Sequence, residues 1–81
     1  MFRVYILKST INNRYYVGST ADLSRRLEQH NLGTVKSTKG FVPWTLAYQE
    51  ELPTLSDARK RELQIKSWKK RAAIERLFNN F

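Results

Sequence analysis

Two short runs rich in β-branched and aromatic residues, FRVYILK at 2–8 and RYYVGS at 14–19, stand either side of a polar break that ends in Asn12-Asn13. Runs of this composition bounded by turn residues read as strands. Adjacent asparagines tolerate the positive φ of a tight hairpin turn, so the two runs should pair antiparallel. Successive strand residues face opposite ways, which puts Tyr5 and Leu7 on one side and Val4 and Ile6 on the other. The same rule sends Tyr15 and Tyr16 to opposite faces, so only one of them can join a given surface. Gly18 near the end of the second run suggests a bulge or a close backbone approach.

The rest of the chain supplies cover for this hairpin. From Asp22 to about Asn31 the spacing turns helical, with Asp22 as cap, Leu23 and Leu27 at i,i+4, and Asn31-Leu32-Gly33 as a stop. Residues 33–43, GTVKSTKGFVP, read as a loop, and WTLAYQE at 44–50 alternates as a third strand. Pro53 precedes Thr54-Leu55-Ser56-Asp57, a capping-box pattern that opens a helix running to about Ser67. The segment KKRAAIERLF then forms a last basic amphipathic helix or continues the previous one. With no repeat, linker or low-complexity stretch, residues 1–81 are expected to form one α+β domain in the order ββαβαα. Its architecture would be a small three-stranded antiparallel sheet flanked by helices.

Fifteen Lys and Arg against seven Asp and Glu give a formal net charge of +8. A basic surface of this kind favours a polyanion as partner, because phosphate contacts release condensed counterions. Lys36, Lys39, Lys66, Lys69, Lys70 and Arg71 are candidate phosphate contacts, and a solvated basic face is the plain alternative for each singly. The absence of cysteine excludes a disulfide scaffold and thiolate chemistry, and sits with a reducing cytoplasm. No apolar run reaches the roughly 20 residues of a membrane span, and the N-terminal run is read as a strand rather than a signal peptide.

Polar residues interrupt the apolar faces at informative places. Turning 100° per residue, Arg26 and His30 fall on the leucine side of the first helix, whereas Arg25 lies largely opposite. Arg26 reads either as a snorkelling side chain at the rim of the stripe or as a functional cation. His30 reads either as a satisfied, half-buried histidine or as an imidazole titrating near neutrality to carry protons or meet phosphate. In the second helix Leu55, Ala58 and Ile65 form a stripe, with Leu63 at its flank and Glu62 projecting into its middle. Burying a carboxylate is costly unless it is paired or binds a metal. Arg26 is one partner for Glu62; a hard cation such as Mg²⁺, which takes carboxylate oxygen and keeps most of its waters, is the other. Trp44 and Trp68 read as packing residues.

Tyrosines, an arginine, a histidine and a glutamate together suit phosphodiester hydrolysis. A metal at Glu62 would polarise the phosphate, Arg26 would stabilise the charge gathering on its oxygens, and a tyrosine near the metal would activate water. A single histidine rules out a Ser-His-Asp set competing with this one, and one His without Cys makes a closed zinc site implausible.

At Val4-Tyr5, Tyr16-Val17-Gly18, Ser19, Asp22-Leu23, Arg26 and His30, and again at Glu62 within RKRELQIKSW, the chain resembles the GIY-YIG nuclease domain family. That family includes homing endonucleases and the bacterial excision-repair incision enzyme; the likeness is greatest to its small stand-alone bacterial members, many of them uncharacterised. The resemblance implies a three-stranded antiparallel sheet flanked by helices and a DNA endonuclease using one divalent metal, Mg²⁺ or Mn²⁺. It implies Tyr5 as the water-activating or water-orienting tyrosine and Tyr16 as its partner. It further implies Arg26 on the scissile phosphate, His30 in proton transfer or positioning, and Glu62 on the metal. Arg3 stands where the family's first motif has glycine, and Asn79 or Asn80 is the candidate for its late asparagine. Family members with defined targets carry an added DNA-binding domain; here binding is expected to rest on phosphate contacts with little sequence reading, and a protein partner is one source from which specificity could come. The alternative is a nucleic-acid-binding module that cleaves weakly or not at all.

Overall fold

A computed structural model describes residues 1–78, so Asn79 and Asn80 lie outside the described residues. The elements are β1 (Phe2–Ser9), β2 (Tyr15–Thr20), α1 (Leu23–Asn31), β3 (Trp44–Leu52), α2 (Leu55–Ser67) and α3 (Arg71–Phe78), in the expected ββαβαα order. The sheet is antiparallel throughout, ordered β2-β1-β3, which makes β1 the central strand and β2 an edge. Val4, Tyr5, Ile6 and Leu7 are all buried, because helices or loops cover both faces of the sheet at β1.

Each face has its own apolar cluster, and the strand parity assigns them as expected. Val4, Ile6, Val17 and Tyr48 pack with Ala58 and Ile65 of α2 and with Ile74, Leu77 and Phe78 of α3. Tyr5, Leu7 and Trp44 pack on the opposite face with Leu23 and Leu27 of α1 and with Tyr16, Phe41 and Val42. Tyr15 goes to the α3 side, where its hydroxyl donates to Glu75 at 2.8 Å. Ala58 and Ile65 are fully buried, but Leu55 and Leu63 are 39% and 66% exposed, so the apolar stripe of α2 is narrower than expected.

Local chemistry fixes the element ends. The Asp22 side chain accepts from Arg25 N and the Thr54 hydroxyl from Asp57 N, both at 3.1 Å, satisfying donors that the first helical turns leave open. Gly33 at φ 76° follows α1 in the left-handed conformation that ends a helix without a Cβ penalty. Lys69 at φ 58° separates α2 from α3, so the final basic segment is a distinct helix. Arg3, in the place of the family glycine, is ordinary paired strand, and its guanidinium bridges to Glu51 at 2.9 Å. The hairpin differs from the expected tight turn. Regular pairing stops at Lys8–Tyr15, and the turn spans Thr10 to Arg14, with Ser9 N donating to Arg14 O at 2.8 Å. Asn13 takes the positive φ of 61°, while Asn12 instead accepts from Arg14 N through its side chain.

Candidate active site

The centre of β1 places Tyr5 against Gly18 of β2 in direct register. A Cβ added at Gly18 would stand 2.5 Å from the Tyr5 hydroxyl and 2.6 Å from its Cζ. The phenol therefore lies flat across the backbone of Gly18, the close approach expected there. Its hydroxyl reaches His30 Nε2 at 3.0 Å. Tyr16, two residues before Gly18, shares this face: its ring centroid is 6.4 Å from that of Tyr5 and 4.9 Å from that of His30. The Tyr16–His30 contact is edge-on, one of the preferred arrangements for rings with oppositely charged edge and face.

His30 ends α1 pointing inward and is fully buried. Its Nδ1 meets Thr38 Oγ1 at 2.8 Å, so both ring nitrogens are engaged. Burial, with the Arg26 charge acting in the same direction, lowers its pKa to about 4. Of the two readings the satisfied histidine holds, buried more deeply than expected, and the imidazole titrating near neutrality is corrected to one that stays neutral at physiological pH. Helical spacing reveals direction but not depth, and here α1 and the 33–43 loop close over the ring together. Tyr5 shifts the other way: burial raises its pKa first of all, the Arg26 guanidinium facing the phenol pulls it down, and Tyr16 and Glu62 push it up. Those influences bring Arg26, Tyr16 and Glu62 within electrostatic reach of one hydroxyl.

Arg26 is half-buried on α1 and donates from Nη1 to Gln29 Oε1 at 3.1 Å. Glu62 arrives from the opposite face of the sheet, on α2. It does not pair with Arg26. Ser19 Oγ donates to its Oε1 at 2.7 Å and Lys66 Nζ to its Oε2 at 2.6 Å. Ser19 belongs to the α2-facing side of β2 by strand parity, which is why its hydroxyl and not Arg26 receives the carboxylate. The Glu62 side chain, 19% exposed, sits at the rim of the α2 stripe rather than in its middle. The five polar residues named from the sequence thus converge on the edge strand β2, with Tyr5, Tyr16, Arg26 and His30 on one face and Glu62 reaching in from the other.

One residue of this arrangement was missed in the sequence: Thr38, buried in the loop, which carries no periodic or motif signal because it acquires its partners only in three dimensions. Ser19 stood among the residues of the family resemblance, but its contact with Glu62 was not foreseen. The basic residues have separate environments. Lys36 and Lys39 are exposed on the loop that contains Thr38, and Lys69 and Lys70 are exposed at the α2–α3 junction. Lys66 is paired with Glu62, and Arg71 holds the hairpin through Asn13 O, Glu75 and the Tyr15 ring. Trp44 is buried, with Nε1 donating to Thr38 O at 3.0 Å, and Trp68 is half-buried beneath Arg61. Both are packing residues.

Among the described residues, no group of three or more His, Cys, Asp or Glu side chains could hold a metal. The donor set is one carboxylate, which suits a hard cation that keeps most of its waters and shares phosphate oxygens, and does not suit zinc. Glu62 fits that demand through lone pairs left free beside Ser19, while Lys66 holds its other oxygen.

An α+β domain with a phenol, an imidazole, a guanidinium and a carboxylate gathered at a sheet edge defines the class. The model of the GIY-YIG catalytic domain matches residues 1–76, and the chain belongs to that family, one of nucleases acting on nucleic acid. A UPF0213 protein of Halobacterium salinarum is 39% identical over 79 residues, covering 96% of this chain and all of that protein. A UPF0213 protein of Staphylococcus aureus is 42% identical over 66 residues, covering 80% of this chain and 79% of that one. The solution structure of a UPF0213 protein from Bacillus halodurans superposes with a TM-score of 0.60 at 31% identity, over 98% of this chain and 84% of that one. Among the described residues, no helix is long and apolar enough to cross a membrane.

Proposed function

We propose that the chain is a divalent-metal-dependent endonuclease that hydrolyses DNA phosphodiester bonds in the cytoplasm. The observation that carries this is the convergence on the Tyr5 phenol of His30 by hydrogen bond, of Tyr16 by ring contact and of Arg26 and Glu62 by charge. A bound Mg²⁺ or Mn²⁺ would polarise the phosphate and steady the leaving oxygen. Glu62, fixed by Ser19, is the residue that would hold it. Arg26 neutralises charge gathering on the non-bridging phosphate oxygens. Tyr5 orients the attacking water through its oxygen, and His30 holds the phenol in place as a neutral partner. The raised Tyr5 pKa argues against a standing phenolate in the free protein. Tyr5 therefore acts as a neutral hydroxyl whose own proton is held toward His30. Tyr16 packs edge-on against His30 and closes the inner wall. Lys36, Lys39, Lys69 and Lys70 are available for phosphates away from the scissile bond, contacts that position a strand without reading its sequence. A protein partner would then supply target choice.

The second reading, a nucleic-acid-binding module without appreciable cleavage, is favoured by one feature: the Lys66 ammonium already occupies Glu62 Oε2. The test is cleavage of duplex, nicked, flapped and single-stranded DNA by wild type and Glu62→Gln, with Mg²⁺, Mn²⁺ or chelator. Metal-dependent cutting that vanishes in Glu62→Gln supports the nuclease. Binding without cutting, tighter in the variant because a negative charge is gone, supports the module.

A further inference from the structure

Thr38 is fully buried in a loop that the sequence presents only as polar. Its backbone N donates to Val35 O at 3.1 Å, while its carbonyl receives Phe41 N at 3.1 Å and Trp44 Nε1 at 3.0 Å. Few loop residues are held at so many atoms, and the one group left to act outward is the hydroxyl, 2.8 Å from His30 Nδ1. We propose that Thr38 is a positioning residue that accepts the Nδ1 proton of His30, so fixing the tautomer whose bare Nε2 receives the Tyr5 hydroxyl proton.

Donor and acceptor counting selects this arrangement. A neutral imidazole carries one N–H and one lone pair. Tyr5 is only 1% exposed, so its hydroxyl proton needs an acceptor within the protein. Arg26, which also faces that hydroxyl, can only donate. His30 Nε2, at 3.0 Å, is the acceptor at hand, and it must therefore be bare. The imidazole proton then sits on Nδ1 and points at Thr38 Oγ1. The threonine's own proton retains an outlet in Val35 O at 3.4 Å. The opposite tautomer would direct an N–H at Tyr5 and strand the buried phenolic proton. With the proton turned inward, the Tyr5 oxygen keeps its lone pairs toward Arg26 and the sheet edge, where the water of the proposed reaction would be oriented. The role in cleavage rests on the nuclease reading; the tautomer does not.

His30 is the only histidine of the chain, so its ring nitrogens can be assigned without ambiguity by long-range ¹H–¹⁵N correlation in the full-length protein. Wild type and Thr38→Ser should both show a protonated Nδ1 and a bare Nε2. Thr38→Val, which keeps the shape and removes the acceptor, should move the population toward protonated Nε2. A wild-type ring protonated at Nε2 overturns the tautomer, and a Thr38→Val ring unchanged from wild type overturns the role of Thr38 in fixing it. Should Thr38→Val not fold, the wild-type and Thr38→Ser spectra still decide the tautomer. In DNA cleavage, Thr38→Val should lose about ten- to a hundredfold in kcat, the scale on which hydrogen-bond partners of metal-bound histidines act. KM should change little, and Thr38→Ser should restore the rate. A changed tautomer with undiminished kcat overturns the positioning role. A wild type that cuts nothing refutes the nuclease reading instead, while the spectra still test the tautomer.

Discussion

Gly18→Ala should be the most damaging single-methyl change in this protein. The added Cβ would fall 2.5 Å from the Tyr5 hydroxyl and 2.6 Å from Cζ, and 3.2 Å from Tyr16 Cε1. Neither ring atom is the loose end of a flexible chain, since Tyr5 is enclosed between β2, His30 and Leu23. Overpacking of this kind costs about 1–3 kcal/mol. Tilting the phenol away also breaks its buried bond to His30, adding about 1 kcal/mol. A total near 2–4 kcal/mol lowers Tm by roughly 10–30 °C in a domain of this size. Thermal unfolding followed by circular dichroism reads it directly. Gly40→Ala is the control: apart from its chain neighbours, no described residue lies within 4 Å of an added Cβ there, so its Tm should stay within a few degrees. In a Tyr5→Leu background the same Gly18→Ala change should cost far less, because the ring it collides with is gone. If Gly18→Ala melts with wild type, or costs as much without the ring as with it, the crossing of Tyr5 over Gly18 is wrong.

Three other outcomes follow from the same geometry. His30 titrates near 6.5 unfolded and about 4 folded, so its contribution is complete above pH 6.5 and is lost as pH falls toward 4. At about 1.4 kcal/mol per pH unit the loss is about 3 kcal/mol. Denaturant midpoints between pH 7 and 4 should therefore fall less steeply in His30→Gln than in wild type, and equal slopes would refute the assignment. Asn31 Oδ1 accepts from Trp44 N at 2.6 Å and its Nδ2 donates to Trp44 O at 3.0 Å. Asn31→Ala should lower stability by about 1–3 kcal/mol, measurable by urea unfolding, whereas a neutral result would mean water replaces both bonds. Lys66→Met removes the ammonium from Glu62 Oε2 and should tighten Mn²⁺ binding, read by electron paramagnetic resonance, by up to about fivefold, the scale of an exposed ion pair; unchanged affinity would mean that the lysine does not compete with the metal.

What the sequence disclosed is what local rules control. Asp22 and Thr54 were readable as caps because each bonds a backbone N–H three residues on. The opposite directions of Tyr15 and Tyr16 follow from the pleat alone. Burial depth and partner choice were not local. His30 could be placed on the leucine side of α1, but a helical face does not say that a loop eight residues later seals it, and that seal is what keeps it neutral. Asn31 was readable as a helix stop, yet its side chain also pairs with the backbone of Trp44, occupying the start of β3. Arg26 and Glu62 were plausible partners by charge, but the chain sends α1 and α2 to opposite faces, and that routing exists only once the sheet forms.

That routing also explains how so small a domain can assemble five polar groups without hollowing its core. Four of them belong to one face and the fifth to the other, and they meet across β2, which among the described residues has no strand beyond it. An edge strand is one backbone thick. Where its residue on the α1 side is Gly18, no side chain stands between the Tyr5 phenol and the strand. Where the next residue is Ser19, a short hydroxyl on the other side anchors Glu62 without adding bulk. The hollow beside Glu62, lined with Arg59 and Leu63, is about 190 Å³ and shallow. Pockets that enclose small molecules are commonly larger and apolar-lined. A site spread along a thin edge of a basic protein is better matched to an extended polyanion laid across it than to a compact ligand. On the proposed function, Glu62 would hold the metal from the α2 side of β2 while Tyr5 orients water from the α1 side.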